Sequence, residues 1–156
     1  MTIGPIVSEA QRDELVGQVE EALGQGATVH NGAKIPEGDG WWFAPTVLSG
    51  VTTDMPIAQV EMFGPVAMVI RVPDLDAAIR AANDTTFGLG SSAWASDEAE
   101  IAQCVEGIEA GAVFVNAMVA SLPELPFGGI KRSGYGRELS ELGLKEFTNA
   151  KTVYVA

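Results

Sequence analysis

The chain has 156 residues, the length of one domain, and 47% of them are apolar, so it can bury a substantial core. Nine basic residues against 21 acidic ones give a formal net charge of −12, which excludes nucleic acid as an expected partner because the surface would repel phosphates. A single cysteine excludes an intrachain disulfide, and neither a signal peptide nor a membrane-spanning run is recognisable. We therefore expect one soluble, cytoplasmic folded unit.

The first half of the chain predicts one helix followed by extended segments. Ser8 and Gln11 form a capping-box pattern that opens a helix over residues 9–23. The side chains expected on its inner face are Leu15, Val19, Ala22 and Leu23. A short strand over 27–30, an extended segment over 41–48 and a strand over 66–72 follow, and the last is so apolar that we expect it to be buried on both faces.

Helices and strands alternate in the second half. Asp74 is predicted to cap a helix that ends near residues 83–84, with Leu75, Ala78, Ile79 and Ala82 facing inward. Ser96 is predicted to cap the next helix, and the remaining predicted elements are strands over 89–95, 112–115 and 152–155 and a helix over 138–147. This alternation is typical of parallel βαβ units and predicts an α/β fold. The loop over 116–136 is long enough to indicate a functional role.

A Gly-Pro corner, Glu61-Met62-Phe63-Gly64-Pro65, directly precedes the strand predicted over 66–72. At such a sheet edge the two carboxylate oxygens of Glu61 could accept hydrogen bonds from a pair of sugar hydroxyls, and Phe63 could pack on a flat heterocycle. The alternative is a Glu61 that is paired with an arginine or left in solvent, with Phe63 in the core. The spacing alone leaves both interpretations open.

The long loop carries a second candidate constellation. Phe127-Gly128-Gly129 allows a sharp turn that brings an aromatic ring to the surface, and Lys131, Arg132 and Arg137 cluster positive charge in an acidic chain. The alternative is a solvated loop whose basic side chains neutralise nearby acids.

Together the Glu61–Pro65 motif and the segment from Pro126 to Glu138 resemble the C-terminal part of the aldehyde dehydrogenase catalytic domain. The resemblance covers essentially the whole chain and implies a three-layer α/β domain with a parallel sheet. Residues 1–148 would be part of the catalytic domain, and residues 149–156 would be the family's C-terminal oligomerisation strand. Residues 116–121 with 125–129 look most like the succinate-semialdehyde dehydrogenase subclass.

Four site residues follow from this resemblance. Glu61 would hold the hydroxyls of the nicotinamide ribose and Phe63 would contact the nicotinamide, so the complete enzyme would use NAD or NADP. Ser121 would help to bind the substrate carboxylate, and Phe127 would line the aldehyde channel. The position before Glu61, often acidic in the family, is Val60 here.

The family's nucleophilic cysteine, general-base glutamate and dinucleotide-binding domain all precede the Glu61 motif, so the resemblance implies that they lie upstream of Met1. In the complete enzyme a thiolate attacks the aldehyde, a hydride passes to the cofactor, and water activated by a glutamate releases the acid. We therefore expect no catalytic residue in this chain, no cofactor bound by it alone, and no turnover by it alone.

Cys104 is the obvious candidate for a replacement nucleophile. It shares the apolar face of the third predicted helix with Ile101, Val105 and Ile108, and we therefore expect a buried, unreactive thiol. His30 is expected on the surface. One cysteine and one histidine make neither a metal site nor a catalytic triad, so no metal is expected.

Two further hypotheses concern partners. The chain could be a non-catalytic assembly partner of itself or of a full-length relative, or one subunit of a split enzyme completed by a separate dehydrogenase chain. Apolar faces without a covering layer and an unpaired C-terminal strand would favour either form of association. The sequence leaves open the choice between NAD and NADP and the identity of the small-molecule aldehyde.

Overall fold

The computed structural model describes residues 3–156 and divides the chain into two compact units, Met1–Pro73 and Asp74–Ala156. Each unit combines helices with its own small sheet. The predicted α/β class and the presence of parallel pairing are thus confirmed. Within the described residues no helix is both long enough and apolar enough to cross a bilayer.

The first unit is a three-stranded sheet with helices. Its elements are α1 (Glu9–Gly24), β1 (Thr28–Asn31), β2 (Thr46–Ser49), α2 (Pro56–Gln59) and β3 (Val66–Val69). The strand order is β1-β2-β3, with β1 antiparallel and β3 parallel to β2. Extended structure was predicted over 41–48, but only the end of this segment, from Thr46 onward, is paired as a strand. The helix prediction is confirmed almost to the residue, and the Ser8 side chain accepts a hydrogen bond from the Gln11 N–H, as a cap should.

The core of the first unit forms where α1 packs on the sheet. Leu15 of α1 and Leu48 of β2 are completely buried at its centre. Thr46 is buried among them, and its hydroxyl is satisfied because it donates to the Ala44 carbonyl and accepts from the Ala33 N–H. The remaining core side chains are Val19, Ala22, Ala27, Phe43, Val51, Met55 and Ile57.

The second unit contains a βαβ unit and the long loop. Its elements are α3 (Leu75–Asn83), β4 (Ser91–Ala93), α4 (Glu98–Gly107), β5 (Val113–Val115), a 3-10 turn (Lys131–Ser133) and α5 (Ser140–Lys145). β4 and β5 are parallel, with Ser91 opposite Val113. The Asp74 cap is confirmed, because its carboxylate accepts from the Ala77 N–H.

Several predictions of burial and capping were wrong. β3 is not buried on both faces: α1 covers only one face of the sheet, so Val66 and Met68 are half-buried while Ala67 and Val69 are exposed. The side chains predicted to face inward but found exposed are Leu23, Ala82 and Val105, each at the margin of its helix's apolar face. The cap of α4 is Asp97 rather than Ser96, because the Asp97 carboxylate reaches both the Ala99 and Glu100 N–H groups.

The strand predicted over 152–155 was also wrong. These residues form no strand, and their side chains are exposed. A strand needs a hydrogen-bonded neighbour, and this segment has none among the described residues. The assignment of residues 149–156 to an oligomerisation strand stays a prediction.

Candidate functional site

The corner that carries Glu61 and Phe63 links α2 to β3 and is held tightly against the core. The Gly64 N–H donates to the Met62 carbonyl at 2.9 Å, and the Val66 N–H donates to the Gly64 carbonyl at 2.9 Å, so the chain turns twice. A Cβ at Gly64 would overlap the buried side chain of Leu15. Glycine is required here because the backbone passes directly over the core.

Glu61 and Phe63 both project from this corner into solvent. The ring of Phe63 is 63% exposed, so the alternative that places it in the core is wrong. Glu61 is exposed and makes no hydrogen bond or ion pair with any residue from 3 to 156, so no arginine pairs with it and, of the two alternatives, it is the one in which Glu61 is left in solvent that agrees with the structure. Both carboxylate oxygens are therefore available to donors from outside, a donor set that fits two neighbouring sugar hydroxyls.

Ser121 lies in the first part of the long loop, which leaves the sheet at Asn116. Asn116 has a positive φ of 54°, and its amide side chain makes two hydrogen bonds to the backbone of Ala95. Further along, Ser140 N–H donates to the Pro123 carbonyl. The Ser121 side chain is exposed and makes no hydrogen bond within the described part of the chain, so its hydroxyl is free to donate to a ligand.

Phe127 lies at the edge of an open cleft of about 630 Å³ in the second unit. Its backbone pairs with Glu138 through two hydrogen bonds of 2.8 and 2.7 Å, and its ring is half-buried. Ser121 is not among the lining residues, so this cleft does not bring the two predicted substrate contacts together. The lining side chains of the cleft other than Phe127 are those of Leu89, Ser133, Tyr135, Arg137, Glu138, Leu139, Ser140, Leu144, Glu146 and Phe147.

Two basic side chains of this part of the chain, Lys131 and Arg137, are engaged by the protein itself. Lys131 forms an ion pair of 2.8 Å with Glu109 and donates to the Asn83 carbonyl at 3.0 Å, at the end of α3. Arg137 donates to the carbonyls of Gly129 and Gly136. For Lys131 the alternative of a basic side chain that neutralises a nearby acid is therefore confirmed, whereas Arg137 binds carbonyls and forms no ion pair within residues 3–156.

The sequence analysis missed three residues, Gly88, Gly111 and Ser133, that contact the chain just after Phe127 or one another. Gly88 and Gly111 are joined by a hydrogen bond from the Gly111 N–H to the Gly88 carbonyl, and the Gly88 N–H donates to the Ser133 hydroxyl at 3.0 Å. A Cβ at Gly111 would overlap the Gly128 carbonyl. The available signal was that Gly88 and Gly111 each stand directly before a predicted strand.

The predicted locations of Cys104 and His30 are confirmed. Cys104 is 6% exposed in α4, and His30 is exposed with its Nε2 2.6 Å from the Ser49 hydroxyl. From residue 3 to residue 156 there is no cluster of three histidine, cysteine or acidic side chains that could hold a metal ion. The Cys104 thiol therefore lies in the interior of the second unit.

The Glu61–Pro65 motif and the segment from Pro126 to Glu138 agree with a comparison of this sequence with known protein families. Residues 1–153 match the aldehyde dehydrogenase family, and the chain belongs to that family.

Relatives that are named as succinate-semialdehyde dehydrogenases agree with the subclass that the long loop resembles. The chain is 54% identical to succinate-semialdehyde dehydrogenase [NADP(+)] 1 of Mycobacterium ulcerans (strain Agy99) over 153 residues, 98% of this chain and 33% of that enzyme. Its fold is similar to that of succinic semialdehyde dehydrogenase from Streptococcus pyogenes in complex with NADP+, with a TM-score of 0.92, 40% identity, and coverage of 99% of this chain and 34% of that one. It is equally similar to an NAD-dependent aldehyde dehydrogenase from Sinorhizobium meliloti, with a TM-score of 0.92, 38% identity, and coverage of 98% and 30%. The chain thus spans about a third of the length of these relatives.

Proposed function

We propose that this chain supplies the C-terminal part of an NAD(P)-dependent aldehyde dehydrogenase that oxidises succinate semialdehyde or a similar aldehyde to the acid. The observation that carries the proposal is the pair of free side chains, Glu61 and Phe63, on a corner fixed to the core. The relatives named as succinate-semialdehyde dehydrogenases support the substrate class, and two of them are named with NADP+.

The corner fits the nicotinamide half of the cofactor. The two oxygens of Glu61 can accept hydrogen bonds from the adjacent ribose hydroxyls, and the exposed ring of Phe63 offers a flat apolar surface for the nicotinamide. The close approach of Gly64 to Leu15 fixes the backbone that carries both side chains before the ligand arrives. When bound, the cofactor supplies the hydride acceptor of the reaction.

The second unit would contribute to the aldehyde pocket. The free hydroxyl of Ser121 can donate to a substrate carboxylate, and the half-buried ring of Phe127 can line the path of the aldehyde. The thiol of Cys104 is buried in α4, so it is not exposed to act as a nucleophile beside Ser121 or Phe127. We therefore propose that the nucleophile and general base come from outside this chain, and that alone it neither binds the cofactor nor turns over substrate.

A chimera tests this function. In the Mycobacterium ulcerans relative, the matched third would be replaced by this chain, and NADPH formation from succinate semialdehyde would be measured with Glu61→Gln, Phe63→Ala and Ser121→Ala. We expect an active chimera in which Glu61→Gln lowers kcat/KM for NADP by roughly tenfold to a hundredfold, the equivalent of one charged hydrogen bond. Ser121→Ala should instead raise the KM for the aldehyde.

The matched control is Glu37→Gln, which removes an exposed charge from a loop of the same unit and should leave all constants unchanged. A folded chimera in which Glu61→Gln and Glu37→Gln behave alike would refute the cofactor role of the corner.

A second candidate function is assembly. The C-terminal segment, residues 149–156, exposes Val153, Tyr154 and Val155 at 73%, 85% and 86%. We propose that this segment pairs with a second copy of the chain or with a complementary dehydrogenase chain, because exposed apolar side chains with unpaired backbone groups are stabilised by such pairing.

A further inference from the structure

The segment from Phe127 to Glu138, which we call the arch, is a closed structural feature of the second unit. Its two ends are joined by the paired hydrogen bonds between Phe127 and Glu138. Within it Arg137 donates to the Gly129 carbonyl at 2.9 Å, which links the end of the arch to its beginning. Phe127 is thus attached to a closed loop, and its position depends on where that loop is anchored.

The arch is anchored through its 3-10 turn to the segment between α3 and β4. The anchoring hydrogen bonds run in both directions across this contact: Lys131 Nζ to Asn83 O, Arg132 N–H to Thr86 O, Ile130 N–H to Gly88 O, and Gly88 N–H to Ser133 Oγ. Gly88 is held at both its N–H and its carbonyl. The anchor therefore fixes the turn against the start of β4.

Ser133 connects this anchor directly to the backbone that follows Phe127 in the sequence. Its hydroxyl accepts from the Gly88 N–H at 3.0 Å, while its Cβ packs so closely on Gly129 that a side chain at Gly129 would overlap it. Gly129 is buried and lies two residues from Phe127. Ser133 and Phe127 also line the same cleft.

We propose that Ser133 is a positioning residue that holds Phe127 at the cleft by coupling Gly88 to Gly129, and that through Phe127 it governs acceptance of the aldehyde. The part of this proposal that concerns aldehyde rests on the proposed function of Phe127. Removing the hydroxyl leaves the Gly88 N–H without its acceptor at a buried glycine, so the turn must move to satisfy it.

The test is fluorine NMR of the full chain in which all six phenylalanines carry a fluorine label. The Phe127 resonance is assigned by Phe127→Leu, and the Phe114 resonance in β5 reports whether the second unit is folded. We expect Ser133→Ala to shift or broaden the Phe127 resonance while Phe114 is retained. Ser133→Cys, which keeps a side chain of the same shape but has only a weak acceptor, should give the same result and serves if the alanine variant does not fold.

The control is Ser96→Ala, an exposed serine that caps no helix, and it should leave Phe127 unchanged. A Phe127 resonance that is identical in wild type, Ser133→Ala and Ser133→Cys overturns the proposal. Because the readout needs neither cofactor nor aldehyde, it does not depend on the proposed function. Failure of that function would appear separately, as a chimera in which Phe127→Ala leaves kcat/KM for succinate semialdehyde unchanged.

Discussion

The contact between Gly64 and Leu15 explains why the Glu61 corner has a fixed shape. Leu15 is completely buried, so it cannot move aside for an added Cβ without disturbing the core. We expect Gly64→Ala to destabilise the first unit by about 1–3 kcal/mol, the usual range for overpacking. Urea unfolding followed by the fluorescence of Trp41 and Trp42 measures the free energy of unfolding of the first unit. The Trp94→Phe substitution is present in all proteins compared, because it removes the tryptophan signal of the second unit.

A double-mutant cycle gives the control. Leu15→Ala alone should cost roughly 2–5 kcal/mol, but in its presence Gly64→Ala should cost much less, since the space has been opened. Additive costs would mean that the two residues do not interact as the structure places them.

Single residues differ in how far the sequence could reveal them. Glu61 and Phe63 were singled out because their motif resembles that of a known family, since the spacing alone left both interpretations open. Ser133 was not, because its partner Gly88 lies 45 positions away and only the folded loop brings them together. The sequence shows that Lys131 and Arg137 belong to a cluster of positive charge, but it does not show that they donate hydrogen bonds to backbone carbonyls.

Secondary-structure elements were predictable where local hydrogen bonds decide them. Ser8 and Asp74 were correctly identified as caps, and at the third predicted helix the structure replaced Ser96 by its neighbour Asp97, whose carboxylate reaches two N–H groups. Burial was less predictable. The apolar sequence of β3 predicts two covered faces, but its cover depends on where helices pack, and α1 packs on one face only.

The C-terminal segment is an element whose state depends on a partner. We expect the chain to form dimers or larger assemblies at micromolar concentration, with Val153→Asp shifting it towards monomer because a buried charge opposes strand pairing. Light scattering coupled to size exclusion measures the mass, and Val7→Asp, at another exposed valine, is the matched control. A wild-type chain that is monomeric at all concentrations would remove the basis for the assembly proposal.

At the scale of the whole molecule, the α/β class followed from the alternation of apolar periodicities along the chain. The pairing of strands did not follow from it. The sequence predicted a succession of parallel βαβ units, whereas β1 is antiparallel to β2, and the two parallel pairs, β2–β3 and β4–β5, lie in separate sheets. Strand partners are chosen by packing between distant segments, which periodicity does not encode.

We propose that this chain contributes contacts to a dehydrogenase site but no nucleophile of its own. The most direct test is NAD(P)H formation by the purified chain with succinate semialdehyde, using NAD and NADP separately, beside a Cys104→Ala variant. We expect no turnover by either protein, because Cys104 is buried in α4. Turnover that is abolished by Cys104→Ala would contradict this account and identify Cys104 as a working nucleophile.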